Sequence, residues 1–144
     1  MSFMNGNVFL DTNVLVYAND TAEPGKQRAA RTLLKEVLRA ENGVISVQVL
    51  SEFWVIVTRK IRTPLALQTA RKEVELFHLM TIVDLDSALF YDAIRLQQLH
   101  QISYRDAQII AAADTAGCTV LYSEDLNAGQ KYANVTVVNP FMEC

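Results

Sequence analysis

The stretch Val8-Phe9-Leu10-Asp11-Thr12-Asn13 constrains the fold more than any other part of the chain. Its apolar residues are consecutive rather than alternate, so a strand built from them needs cover on both faces, as a central strand of a parallel sheet does. The run stops at a carboxylate. Ligands of open α/β sheets bind outside the C-terminal ends of the strands, which puts Asp11 at the edge where a site is expected.

Further short apolar runs follow at Val44-Ile45-Ser46, Thr81-Ile82-Val83, Cys118 to Tyr122 and Val135 to Val138. Helical patterns separate them. Val14 to Ala18 reads as a short helix, and Ala29, Leu33, Leu34, Val37 and Leu38 form the apolar face of an amphipathic one that Gly43 ends. Val47 to Lys60, Leu65 to Met80, a segment capped by Asp84-Leu85-Asp86-Ser87 that runs to His100, and Ser103 to Ala116 complete the series, with Gly117 closing the last. Strands alternating with helices of ten or more residues predict an α/β fold, a five-stranded parallel sheet flanked by helices, in one domain over residues 1–144. The pair Val47 to Lys60 and Leu65 to Met80 is expected to project as a clip or dimer surface.

About half the residues are apolar, enough for a sizeable core, and no apolar run reaches the roughly 18 residues of a membrane span. Met1-Ser2-Phe3-Met4-Asn5 lacks the basic start of a secretion signal, so a cytoplasmic protein with free thiols at Cys118 and Cys144 is expected. These cysteines, with His78 and His100, make no zinc spacing. The net charge of −3 argues against binding nucleic acid by bulk positive charge, unless divalent cations cover some of the carboxylates.

Four carboxylates stand out. Glu52 shares one narrow stripe with Gln48 and Ser51 on a helix that is otherwise apolar nearly all round, so it either reaches solvent along that stripe or is held by a partner or cation. Asp106 follows Ser103 at capping-box spacing, and a helix N-terminus keeps such a carboxylate ionised whether it caps or ligates. Asp125 follows the fourth strand as Asp11 follows the first, although turn chemistry alone also accounts for Ser123, Asp125 and Asn127. Asp114, about 12 Å further along its helix than Asp106, lies too far away to join them. Converging carboxylates without histidine or thiolate suit a hard cation, Mg²⁺ or Mn²⁺, and the chemistry such a site supports is in-line displacement at a phosphodiester.

The motifs together resemble those of the PIN-domain nucleases, and within them the VapC-type toxins of toxin–antitoxin pairs. The resemblance rests on Phe9-Leu10-Asp11-Thr12-Asn13-Val14-Leu15, Ser51-Glu52-Phe53, Tyr104-Arg105-Asp106-Ala107-Gln108-Ile109 with Ala111-Ala112-Ala113, and Leu121-Tyr122-Ser123-Glu124-Asp125-Leu126. It implies a Mg²⁺- or Mn²⁺-dependent endoribonuclease acting on RNA, a homodimer, and an antitoxin partner. Catalytic and metal-holding roles then fall on Asp11, Glu52, Asp106 and Asp125, with Thr12, Asn13 and Ser123 as supports. Glu124 competes with Asp125 for the fourth role. Arg59, Lys60, Arg62 and Arg105 are candidate contacts for a substrate strand, the first three serving equally to complement a helix C-terminus. A PIN-like RNA-binding module without activity is the alternative. A two-component-type receiver does not fit, because no adjacent acids end the first strand and no Lys follows Tyr122.

Overall fold

The computed structural model describes residues 6–143. Its strands are β1 (Asn7–Leu10), β2 (Gly43–Ser46), β3 (Thr81–Val83), β4 (Cys118–Tyr122), β5 (Lys131–Tyr132) and β6 (Val135–Val138), and its helices are α1 (Thr12–Tyr17), α2 (Pro24–Ala40), α3 (Val47–Val55), α4 (Leu67–Phe77), α5 (Ser87–His100) and α6 (Tyr104–Thr115). The sheet order is β3-β2-β1-β4-β6-β5, with every pairing parallel except β5 with β6. β1 is therefore central, and Val8, Phe9 and Leu10 are fully buried, which accounts for their consecutive apolar run. From β1 the chain builds β2 and β3 on one side, then crosses to β4 and β6 on the other. The reversal opens a crevice between the C-terminal ends of β1 and β4, where Leu10 pairs with Tyr122.

The sheet has six strands rather than the five expected. The extra one, β5, is a two-residue antiparallel edge joined to β6 through Ala133, which adopts a left-handed φ of 52°. Neither its length nor its turn, which lacks glycine, carries the usual hairpin signal.

The ends of α2 and α3 differ from expectation. Glu41 takes the left-handed cap of α2 at φ 56°, while Gly43 already belongs to β2. A Cβ on Gly43 would lie 2.4 Å from Val37 Cγ1 and 2.8 Å from Met80 Sδ, so glycine is required there by close approach and not by helix termination. The segment expected to be one helix from Val47 to Lys60 is α-helical only to Val55 and continues as a π-helical turn, Ile56–Lys60, in which Ile61 N–H bonds to the Ile56 carbonyl. Within it Thr58 Oγ1 donates to the Trp54 carbonyl at 2.6 Å.

The pair α3 and α4, expected to project, is anchored by Phe53 and Phe77, both fully buried and packed edge to face at 4.9 Å. His100 is half-buried and sets its ring edge on Tyr132 at 5.0 Å. Cys118 is a buried free thiol, and Cys144 lies outside the described residues, as does the segment Met1 to Asn5. Among the described residues no helix is long and apolar enough to cross a membrane.

Candidate active site

Asp11 donates its amide to the Tyr122 carbonyl at 3.0 Å, extending the β1–β4 ladder by one step, and is fully buried. The next residue of the neighbouring strand is Ser123, also fully buried, whose Oγ donates to Asp11 Oδ2 at 2.8 Å and accepts from the Asp125 amide at 3.1 Å. One hydroxyl thus ties the acid after β1 to the loop after β4.

α1 begins immediately beyond Asp11, which accepts from the Thr12 amide at 2.6 Å. Thr12 Oγ1 donates to Glu52 Oε1 at 2.6 Å. Glu52 comes from α3, which starts directly at the end of β2, where Ser46 Oγ accepts from the Val49 amide. Gln48, one turn earlier on the same stripe, donates to Glu52 Oε2 at 3.2 Å and to the Arg105 carbonyl at 3.3 Å. The polar stripe read from the sequence is therefore the face that α3 presents to the site.

Asp106 lies in the first turn of α6, where Ser103 Oγ accepts its amide at 3.1 Å. Its carboxylate is turned instead to Arg105. Asp125 is reached from the other side by Asn13, whose Nδ2 donates to Oδ2 at 3.2 Å.

Arg105 sits among these acids. Its Nε and Nη2 donate to Glu52 Oε2 and Oε1 at 3.2 and 2.6 Å, and Nη2 and Nη1 donate to Asp11 Oδ1 and Oδ2 at 2.8 and 3.3 Å. Nη1 also donates to Asp106 Oδ1 at 3.1 Å and lies 4.0 Å from Asp125 Oδ2. All five N–H groups of the guanidinium therefore find carboxylate oxygens, two of the acids being held in bidentate fashion. From sequence, Arg105 stands only as a candidate contact for a substrate strand. A local signal was present, because a cation in the first turn of a helix opposes the helix dipole and asks for a compensating partner.

The charges act on one another as this geometry requires. Burial by itself raises the Glu52 carboxyl, but hydrogen bonds from Arg105 and Thr12, with the Arg105 charge, hold it below its ordinary value. Burial raises Asp125, and the negative charge of Asp11 adds to this, against the lowering by Asn13 and Arg105. Burial works to lower Arg105, and the Glu52 and Asp11 carboxylates overcome it and raise the guanidinium further.

Glu124 points elsewhere. It accepts from Tyr17 Oη at 2.8 Å and pairs with the Lys26 ammonium, which lies 4.7 Å above the Tyr17 ring. Beside the acids a groove of about 680 Å³ runs past Val16, Tyr17, Val55 and Ile56 to Lys60, which the π turn brings to its wall. Arg59 and Lys60 close that turn. Tyr104 is half-buried with its ring 6.1 Å from Phe90, and Trp54 packs against the core.

The donor set is all oxygen, which fits a hard divalent cation. Among the described residues no three acids, histidines or cysteines already stand at metal-holding spacing, since the guanidinium lies between them.

The profile of the PIN domain family matches residues 8–133. No curated protein matches the sequence. Among solved structures the fold is similar to that of a toxin–antitoxin complex from Klebsiella pneumoniae, at 18% identity over 94% of this chain and 98% of that one, TM-score 0.66. It is similar to VapBC2 from Rickettsia felis bound to a promoter DNA fragment, at 19% identity over 90% of this chain and 96% of that one, TM-score 0.63. It also resembles VapC20 of Mycobacterium tuberculosis, a toxin that cleaves the sarcin-ricin loop, at 17% identity over 83% of this chain and 90% of that one, TM-score 0.59.

Proposed function

The chain belongs to the PIN domain family, and from that premise we propose that it is a Mg²⁺- or Mn²⁺-dependent endoribonuclease, the toxin of a toxin–antitoxin pair. The observation that carries the reading is the meeting of Asp11, Glu52, Asp106 and Asp125, from four separate parts of the chain, around one positive charge at the C-terminal edge of the sheet. The structural likeness to a toxin that cleaves the sarcin-ricin loop and to toxin–antitoxin complexes supports the choice of substrate and of partner. A cytoplasmic homodimer restrained by an antitoxin belongs to the same reading.

Asp11, Glu52 and Asp106 would hold the cation, with Asp125 completing the set. A divalent cation supplies polarisation of a phosphoryl oxygen and a nucleophilic water at neutral pH. Ser123 fixes Asp11 and the Asp125 loop together, Thr12 and Gln48 fix the Glu52 carboxylate, and Asn13 orients Asp125. Lys60, on the wall of the groove, supplies positive charge for a phosphate of the strand that enters there. Asp125 is the fourth acid on this account, because Glu124 is engaged by Lys26 and Tyr17.

The test is cleavage of defined RNA by the purified protein with and without divalent cation. Cleavage should require Mg²⁺ or Mn²⁺, stop with a chelator, and fall by about a thousandfold in Asp11→Asn, on the order of the several kcal/mol a metal supplies. Full activity of that variant, or indifference to the chelator, refutes the mechanism. RNA binding with no cleavage under any metal would instead support the inactive binding module.

A further inference from the structure

Asp11 leaves no room for a metal while Arg105 stays where it is. A carboxylate offers about four lone-pair sites, and at Asp11 all four are taken. Oδ1 accepts from the Thr12 amide and Arg105 Nη2, and Oδ2 accepts from Ser123 Oγ and Arg105 Nη1. The Thr12 and Ser123 donors belong to the backbone and to a fully buried side chain, so neither can withdraw cheaply. Arg105 can. Its side chain is about a third exposed and borders the open groove.

We infer that Arg105 is the resident cation of the four-acid site, and that its guanidinium and the divalent metal are mutually exclusive occupants of the same carboxylates. The inference rests on the metal-dependent reading above and adds a competitor contained within the chain. Without a cation, four carboxylates would face one another in a half-buried site, a costly arrangement. The guanidinium relieves that repulsion when metal is scarce. Metal loading must then release five hydrogen bonds from Arg105 to Asp11, Glu52 and Asp106, so the apparent metal affinity is reduced by the cost of that release. Released, the guanidinium turns toward the groove.

Calorimetric titration of the whole protein with MnCl₂ reads this directly. Arg105→Gln should bind Mn²⁺ at least about tenfold more tightly than wild type, within the usual range of coupling between sites. Its metal-free form should melt at lower temperature, and Mn²⁺ should raise its melting temperature further than that of wild type. A second measurement needs no variant that folds. In wild type, the Arg105 Nε–Hε resonance should be protected from solvent exchange without metal and lose that protection in step with Mg²⁺ binding. Metal binding with that resonance unmoved, or equal or weaker Mn²⁺ affinity in Arg105→Gln, overturns the inference and leaves the nuclease reading standing. Failure of wild type and variant alike to bind metal overturns both.

Discussion

Ser123→Ala is the substitution that separates a positioned site from a mere cluster of acids. The side chain is fully buried and joins two of the four acids, donating to Asp11 Oδ2 at 2.8 Å and accepting from the Asp125 amide at 3.1 Å. Removing the hydroxyl deletes a charge-assisted bond to Asp11, about 1.5 to 3 kcal/mol, and strands the Asp125 amide, for which about 0.5 to 1 kcal/mol is appropriate because the loop is partly open to water. The alanine methyl occupies nearly the same space, so no cavity penalty is added. The expected loss is about 2 to 4 kcal/mol, which for typical urea dependence is a midpoint lower by roughly 1 to 2 M. Activity should fall by about 10 to 100-fold, the usual cost of losing a group that orients a metal-holding carboxylate. Urea unfolding of the metal-free protein and RNA cleavage under saturating Mg²⁺ are the two assays. A stability loss below about 0.5 kcal/mol would show that the two hydrogen bonds are not made in solution. A full stability loss with unchanged cleavage would show that Ser123 supports the fold and not the site.

Asp125→Asn should reduce cleavage far more than Glu124→Gln, since Glu124 is held by Lys26 and Tyr17; the reverse ranking would exchange their roles. Gly43→Ala should destabilise the protein by about 1 to 3 kcal/mol through contact with Val37 and Met80, and a Val37→Ala background should recover part of that loss in a double-mutant cycle. Glu52, held below its ordinary value of 4.5, contributes stability that is present above that pH and lost as pH falls through its folded value. The stability gap between wild type and Glu52→Gln should therefore narrow as pH falls from 6 to below 4. Asp125, raised above 3.8, works in the opposite sense, its contribution being present below that pH and lost as pH rises through the folded value, so pH series on Glu52→Gln and Asp125→Asn should slope oppositely relative to wild type.

The order of strands and helices, the central place of β1, and the delivery of Asp11 to the sheet edge were legible along the chain. Buried strands, amphipathic helices and helix caps are local patterns, and residues such as Phe9 and Ser103 announce them. The polar stripe of Gln48, Ser51 and Glu52 was legible for the same reason, since helical periodicity alone places those side chains on one face.

Tertiary structure decided which polar groups share a partner. Glu124 and Asp125 are neighbours in sequence with the same charge, and only the approach of Lys26 and Tyr17 to one and of Asn13 to the other separates them. The two-residue strand β5 exists because β6 offers an edge to pair with. Gly43 is fixed by the closeness of Val37 and Met80, which no local pattern records. Arg105 is the clearest case. Its position beside Asp106 is written in the sequence, but its five-fold engagement arises where β1, α3 and α6 meet, and Coulomb attraction in a half-buried site depends on distances that only the folded chain sets.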